Sequence, residues 1–254
     1  MALFTDGSIS SIEDLTALDS QLLTVASLEG IDVTQKLALA QNELALELNT
    51  MLERFRFLDW PSWLVSEPQL DNIVVTPGLQ LWHSYRSLEL FYSDAYGNEL
   101  NDRYGAKRDQ FRQMAGWAKT KIEQGGLGVV INPIPQAATP TVTPLPGALP
   151  DGTYYVTMAW VNGSGQEGAS AEPAVMTLAS SSFIVQPGPP PQAVVGWNVY
   201  AGNSPDGMVL QNGVPLAASQ IWRQLTALAT AGRAPGPGQQ PAYLKPMPRI
   251  LQRG

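Results

Sequence analysis

The chain has no cysteine and a single histidine, His83, in 254 residues. Without thiols, disulfide staples and thiolate metal sites are excluded, and folding has no need of an oxidising compartment. One imidazole is also too few for a histidine-based zinc site, which leaves only carboxylates as metal ligands. Charge is scarce as well: Asp, Glu, Lys and Arg make up 15% of the chain, and the net charge is −7. A nucleic-acid groove needs clustered Lys and Arg to displace counterions, so this balance argues against one. No apolar run approaches the roughly 20 residues that span a bilayer. The opening MALFTDGSISSIEDL has neither a basic n-region nor a continuous apolar h-region, which argues against a secretory signal. The expectation is a soluble protein with no membrane partner and no cofactor.

What is present divides near residue 130. Residues 1–130 hold 18 Asp and Glu against 10 Lys and Arg, whereas residues 131–254 hold 4 against 5. The first part carries helical periodicity, and the second is rich in Gly, Pro and β-branched residues. Helical patterning that gives way to short strands predicts separate domains rather than one mixed sheet. The expected class is α+β in two domains: a helical bundle over 1–130, a Pro-rich linker over 131–150, an antiparallel β-sandwich over 151–230 and an extended arm over 231–254.

In the first part Ser10 and Glu13 have the spacing of a capping box. Leu15, Leu18, Leu22, Val25 and Ala26 follow at helical spacing, with Gly30 as a stop. Asp32 or Thr34 can cap a second helix bearing Leu37, Ala40, Leu44, Leu48, Met51 and Leu52 on one face. Residues 60–79 read as a Trp- and Pro-dense loop. A third helix is expected over Gln80–Tyr96, broken at Gly97-Asn98, with Leu81, Trp82, Tyr85, Leu88, Phe91 and Tyr92 as its stripe. A fourth, Glu99–Glu123, buries Tyr104, Phe111, Met114, Ala115, Ala118 and Ile122 and crowds Arg103, Lys107, Arg108, Arg112, Lys119 and Lys121. It is the one basic element in an acidic half. Either this face is solvated, or it meets the acidic flank of a neighbouring subunit through Arg103, Lys107, Arg108 and Arg112.

Beyond the linker, strand signals fall at Thr153–Val161, Ala174–Leu178, Phe183–Val185, Val194–Ala201, Met208–Leu210 and Ile221–Leu225. Asp-Gly or Asn-Gly pairs stand at 151, 162, 206 and 212, the dipeptides that tolerate positive φ in tight turns. Trp160 and Trp197 are the expected core anchors. The run QPGPPPQ at 186–192 reads either as a crossover between strands or as a polyproline ligand. From 236 to 254 five large apolar residues, Tyr243, Leu244, Met247, Ile250 and Leu251, alternate with Lys245, Arg249 and Arg253. That mixture predicts an arm that orders on an acidic partner.

No catalytic constellation stands out. A His–Ser pair would have to use His83, whose place in an aromatic helical stretch reads as packing. Asp94, Asn98 and Asp102 have oxygen-ligand spacing but no EF-hand loop pattern, so helix capping explains them. Gly125, Gly126 and Gly128 lack the Lys-Ser/Thr of a phosphate loop and read as a helix stop. Asn162-Gly163-Ser164 matches a glycosylation sequon and reads as a hairpin turn.

The stretch FYSDAYGNELNDRYGAKRDQFRQMAGWAKTKI (91–122) with its GGLGVVINPIP exit resembles the helical bundle of head–tail connector (adaptor) proteins of tailed bacteriophages. DGTYYVTMAWVNGSGQEG (151–168) and GWNVYAG (196–202) resemble an immunoglobulin or fibronectin type III domain. The resemblance implies a non-enzymatic virion protein assembled in the host cytoplasm, a homo-oligomeric ring commonly of twelve subunits. Such a ring docks on the portal protein, links it to a stopper or tail protein, and passes DNA through its lumen without reading its sequence. Tyr243, Leu244, Lys245, Met247, Arg249, Ile250, Leu251 and Arg253 are then the portal-binding residues. A rival reading is a carbohydrate-binding or adhesion protein of a tail fibre or cell surface, with exposed Trp residues of the sandwich as its platform.

Overall fold

The structure, a computed structural model, describes residues 1–55, 68–99, 102–225 and 227–245. In chain order the elements are helices α1 (Ile12–Leu18), α2 (Leu22–Glu29), α3 (Val33–Phe55), α4 (Pro77–Glu99) and α5 (Asp102–Gly125), then strands β1 (Leu127–Val129), β2 (Thr141–Pro146), β3 (Gly152–Asn162), β4 (Ala174–Leu178), β5 (Ser181–Gln186), β6 (Val194–Gly202), β7 (Val209–Leu210), β8 (Leu216–Ala217), β9 (Trp222–Arg223) and β10 (Ala242–Leu244). The class is α+β, with five helices in the N-terminal half and antiparallel sheets in the C-terminal half. Two compact units emerge. One joins Met1–Asp6 to Asn132–Pro241, and the other joins the described residues of Gly7–Ile131 to Ala242–Lys245. The β-rich unit is therefore inserted in the sequence of the helical unit, and the backbone crosses between them three times. This differs from the expected tandem order, in which everything from 231 formed one arm.

In the helical unit α1 is capped by Ser11 and Asp14, with reciprocal bonds of 3.2 and 2.8 Å. The expected box at Ser10 and Glu13 is one residue out of step, because the Ser10 hydroxyl is buried against Ser84 and His83. Asp19, extended at φ −144°, splits the expected first helix in two, and Gly30 at φ 65° closes α2 in the left-handed region. The Asp32 carboxylate caps α3. Leu37, Ala40, Leu44, Leu48, Met51 and Leu52 are all buried along it, as 3.6-residue spacing requires.

Pro77 starts α4 at the position where its missing N–H is not needed, and the helix runs through Gly97 instead of breaking there. A single glycine costs about 1 kcal/mol in a helix interior, too little to break a helix held by its packing elsewhere. Phe91, Tyr92 and Phe111 form the aromatic centre between α4 and α5, with Tyr92 and Phe111 stacked at 5.8 Å. Gly105 lets α5 approach, since a Cβ there would lie 3.1 Å from the Tyr96 ring. Gly126 at φ 103° ends α5. The chain then forms β1, where Gly125, Gly126 and Gly128 predict only a helix stop. β1 pairs with β10, Leu127 opposite Leu244, and on its other side Val129 bridges Ile73.

The β-rich unit holds a three-stranded sheet, β2-β5-β9, and a five-stranded one, β4-β3-β6-β7 with β8 also on β6. Tyr154, Val156, Met158 and Trp160 of β3, Trp197 and Val199 of β6, and Phe183 and Val185 of β5 form one core shared by both sheets. Trp160 and Trp197 anchor it. Part of the expected linker is β2, an edge strand with Pro144 opposite Phe183 and Pro146 opposite Ser181. Proline is tolerated there because an edge strand need not donate on both sides. Asn162 shapes the following turn by accepting from Ser164 and Gln166 amides at 3.0 Å, so the sequon is a turn.

Residues 231–241 belong to this unit rather than to a free arm. Gln239 is buried; its side chain accepts from the Ile134 amide at 2.8 Å and donates to the Asn132 carbonyl at 2.9 Å and to Gln166 at 3.1 Å. Replacing it by alanine leaves the buried Ile134 amide without its partner, at about 1–3 kcal/mol, and removes the two part-buried bonds to Asn132 and Gln166. The expected outcome for Gln239→Ala is a melting temperature lowered by several degrees. An unchanged melting curve would show that water replaces all three bonds.

Candidate functional site

The helical unit carries a cleft of about 560 Å³ whose walls are α3 and α5 and whose floor is α4. Leu44 and Leu46 with Glu43 and Glu47 come from α3, Trp82, Arg86 and Glu89 from α4, and Arg112, Ala115 and Lys119 from α5. The spacing explains the arrangement. Glu43 and Glu47 stand one turn apart on α3, while Arg112 and Lys119 stand two turns apart on α5, so an acidic stripe meets a basic one.

The ion pairs run in series. Arg86 Nε donates to Glu43 at 2.5 Å and its Nη1 to Glu89 at 2.6 Å. Glu89, with its side chain 6% exposed, also accepts from Arg112 at 2.9 Å. Lys119 reaches Glu47 at 2.7 Å across the cleft and lies 6.0 Å over the Trp82 ring. Three acids and three bases line the cavity, so its charges cancel. Leu46, 69% exposed, and Trp117, 54% exposed and next to the lining Gly116, stand out as apolar surface on the flanking helices.

The remaining cations of α5 are also engaged. Arg103 donates to Gln21, and Lys107 pairs with buried Asp19 at 2.7 Å. Arg108 pairs with Asp109 and lies 4.8 Å over Tyr96. Burial alone would raise the Asp19 carboxyl, but hydrogen bonds from Lys107 and Tyr92 hold it below the usual carboxylate range. Burial, and then the Asp19 carboxylate, push the Tyr92 phenol up. The basic helix that looks unmatched in sequence is thus matched within its own chain. The signal that could have found this is the complementary spacing on α3 and α5, which needs the helix pairing before it can be read.

Serine and histidine do meet. His83 Nδ1 lies 3.0 Å from Ser10 Oγ and its Nε2 lies 3.0 Å from the Leu37 carbonyl. A carbonyl only accepts, so Nε2 carries the proton and Nδ1 accepts from Ser10. His83 has no exposed surface and Ser10 is 3% exposed, so no substrate reaches either. The pair ties the segment before α1 to α3 and α4. Among the described residues no cluster of His, Cys, Asp or Glu could hold a metal. Asp94 is instead paired with Lys36 at 2.6 Å, and Asn98 donates to the Glu29 carbonyl.

Of the expected portal-binding residues, Tyr243 is half exposed and Leu244 is buried in β10. Lys245 packs by Gly126, where a Cβ would lie 3.0 Å from its Cγ. Met247, Arg249, Ile250, Leu251 and Arg253 lie outside the described residues. Trp160 and Trp197 are buried and Trp222 is partly buried, so the first two supply no sugar-binding platform. No described helix is long and apolar enough to cross a membrane. No protein-family model matches the chain, and no curated protein matches it in sequence.

Burial lowers the His83 pKa below its usual value near 6.5. The unfolded chain then takes up a proton that the folded chain refuses. The stabilisation is complete above about pH 6.5 and is lost as pH falls, by up to about 1.4 kcal/mol per pH unit. Denaturant titrations at pH 7.5 and 5.5 should show this loss, and His83→Gln should flatten it. An equal slope in the variant would assign the loss to other groups.

Proposed function

We propose that the chain is a structural protein of a tailed-bacteriophage virion, a head–tail connector adaptor that assembles as a ring on the portal protein and links it to a stopper or tail protein. The observation that carries this reading is the return of the C-terminal chain to the helical unit. β10 pairs with β1 directly beyond α5. The basic, apolar residues after Lys245 therefore start from the adaptor-like helices and not from the β-rich unit. Aromatic α4 and long amphipathic α5, packed through Tyr92 and Phe111, support the same reading. The inserted unit is then an accessory sandwich of the immunoglobulin or fibronectin type III kind, and DNA passes through a predominantly acidic ring without sequence-specific contact.

In this proposal Tyr243, Leu244 and Lys245 fix the base of the docking segment, and Met247, Arg249, Ile250, Leu251 and Arg253 reach the portal. Contacts between subunits through Arg103, Lys107, Arg108 and Arg112 have to share cations already held by Gln21, Asp19, Asp109 and Glu89. Added salt is accordingly expected to weaken assembly only slightly.

Two measurements test the reading. Sedimentation and negative-stain microscopy of the purified protein, alone and with portal, should show a closed ring; a monomer under both conditions would remove the connector assignment. Truncation after Lys245 keeps Gln239 and β10, so it should leave the melting temperature within a degree or two while abolishing attachment to DNA-filled heads. Normal attachment of the truncated chain would show that the segment is not the anchor.

A further inference from the structure

The β5–β6 connection, residues 187–193, passes from the three-stranded sheet to the five-stranded one. A crossover of this kind has only to span the two sheets. This one does so with Pro187, Pro189, Pro190 and Pro191 in five residues, and Pro189 and Pro190 are exposed. Each proline fixes its own φ near −65°, and each residue before a proline is pushed to extended values. From Gly188 to Pro191 these constraints favour a polyproline II conformation with about three residues per turn and a rise of about 3.1 Å.

The base of the segment is held under strain. Gln192 and Ala193 form a turn, and Ala193 sits at φ 66°, where a Cβ is disfavoured by roughly 1–2 kcal/mol. A strained residue persists only where its surroundings hold it, so the point at which the segment rejoins β6 is set by the fold. Val195, 60% exposed, extends the apolar surface past the turn. No charged residue occurs between Glu172 and Asp206.

We propose that residues 186–195 are a recognition segment for an aromatic-lined groove on a partner protein, of the kind that binds polyproline II helices. Such grooves stack aromatic rings on prolines and gain affinity from a ligand that is already extended. The absence of charge specifies the partner further. Its groove needs aromatic faces and a donor for the proline carbonyls, without an acidic pocket for an arginine, and binding is insensitive to salt. This inference is independent of the connector reading.

The test uses the full chain, isotopically labelled, titrated with a purified WW domain as a generic two-aromatic groove. Amide shifts should be confined to Gly188 and Gln192–Val195 and should persist at high salt. The double variant Pro189→Ala, Pro190→Ala should bind about tenfold more weakly, or about 1.4 kcal/mol. Val175→Ala, at an exposed apolar residue on β4, should bind unchanged, and a WW domain lacking its groove tryptophan should not bind. The proline variant changes only exposed side chains, so its melting temperature should match the parent. No shifts, shifts spread over the β-rich unit, equal binding by the proline variant, or loss at high salt would each overturn the proposal.

Discussion

Of the two buried carboxylates among the described residues of the helical unit, Asp19 and Glu89, it is Glu89 that ties three helices together. Glu89 on α4 takes Arg86 from its own helix and Arg112 from α5, and Arg86 carries the connection on to Glu43 of α3. Desolvating a carboxylate costs several kcal/mol unless it is matched. Glu89 is therefore tolerated only when all three helices are in register. An apolar residue there would suit several rotations of α5 about α4, whereas Glu89 suits the one that delivers Arg112. The ion pairs contribute modestly to stability, but they contribute strongly to which packing is chosen. Lys119 and Glu47 add a more exposed pair two turns along, with Trp82 beneath. Because the charges are used up inside the chain, what the cleft offers to solvent is shape and apolar rim rather than field.

The β-rich unit has few charges and uses them in the same way. Glu167 accepts from Tyr200 at 2.9 Å, from Asn198, and from Arg233 at 2.6 Å. Asn198 in turn accepts from Asn212 at 2.7 Å. These groups fix the segments at 166–167, 212 and 233 against β6, and Gln239 continues the role toward residues 132–134. An irregular Pro- and Gly-rich stretch is held in place by side-chain bonds where it has no ladder of its own. The last of the three backbone crossings follows from this, since the segment that completes the β-rich unit must still return to form β10.

Local signals carried much of this fold and non-local ones little. The stripe of α3, the aromatic face of α4, the core tryptophans and the strand centres were legible because periodicity and turn dipeptides are written in neighbouring residues. β1 and β10 were not legible. Each is three residues long, and Leu127 meets Leu244 only after the inserted unit. Nothing within a short window marks either as a strand. Ser10 misled for a related reason: a serine three residues before Glu13 has capping spacing, and only the position of α4 shows that His83 and Ser84 claim its hydroxyl. Gly97 likewise reads as a break until the packing of α4 against α5 is known.

The candidate site was half legible. The basic residues of α5 were visible, but their sign alone could not show whether a neighbour or the same chain satisfies them. A charge stripe states a need for a partner without saying where the partner is. Here α3 and α4 supply it, which moves the search for external contacts to groups with no internal use. On the helical unit these include Leu23, Leu28, Leu46, Trp117 and Tyr243, all more than half exposed. On the β-rich unit they include Val195, Val214, Leu225 and the prolines after β5. Both sets are apolar, whereas the described charges of α4 and α5 are spent on holding the helices to one another.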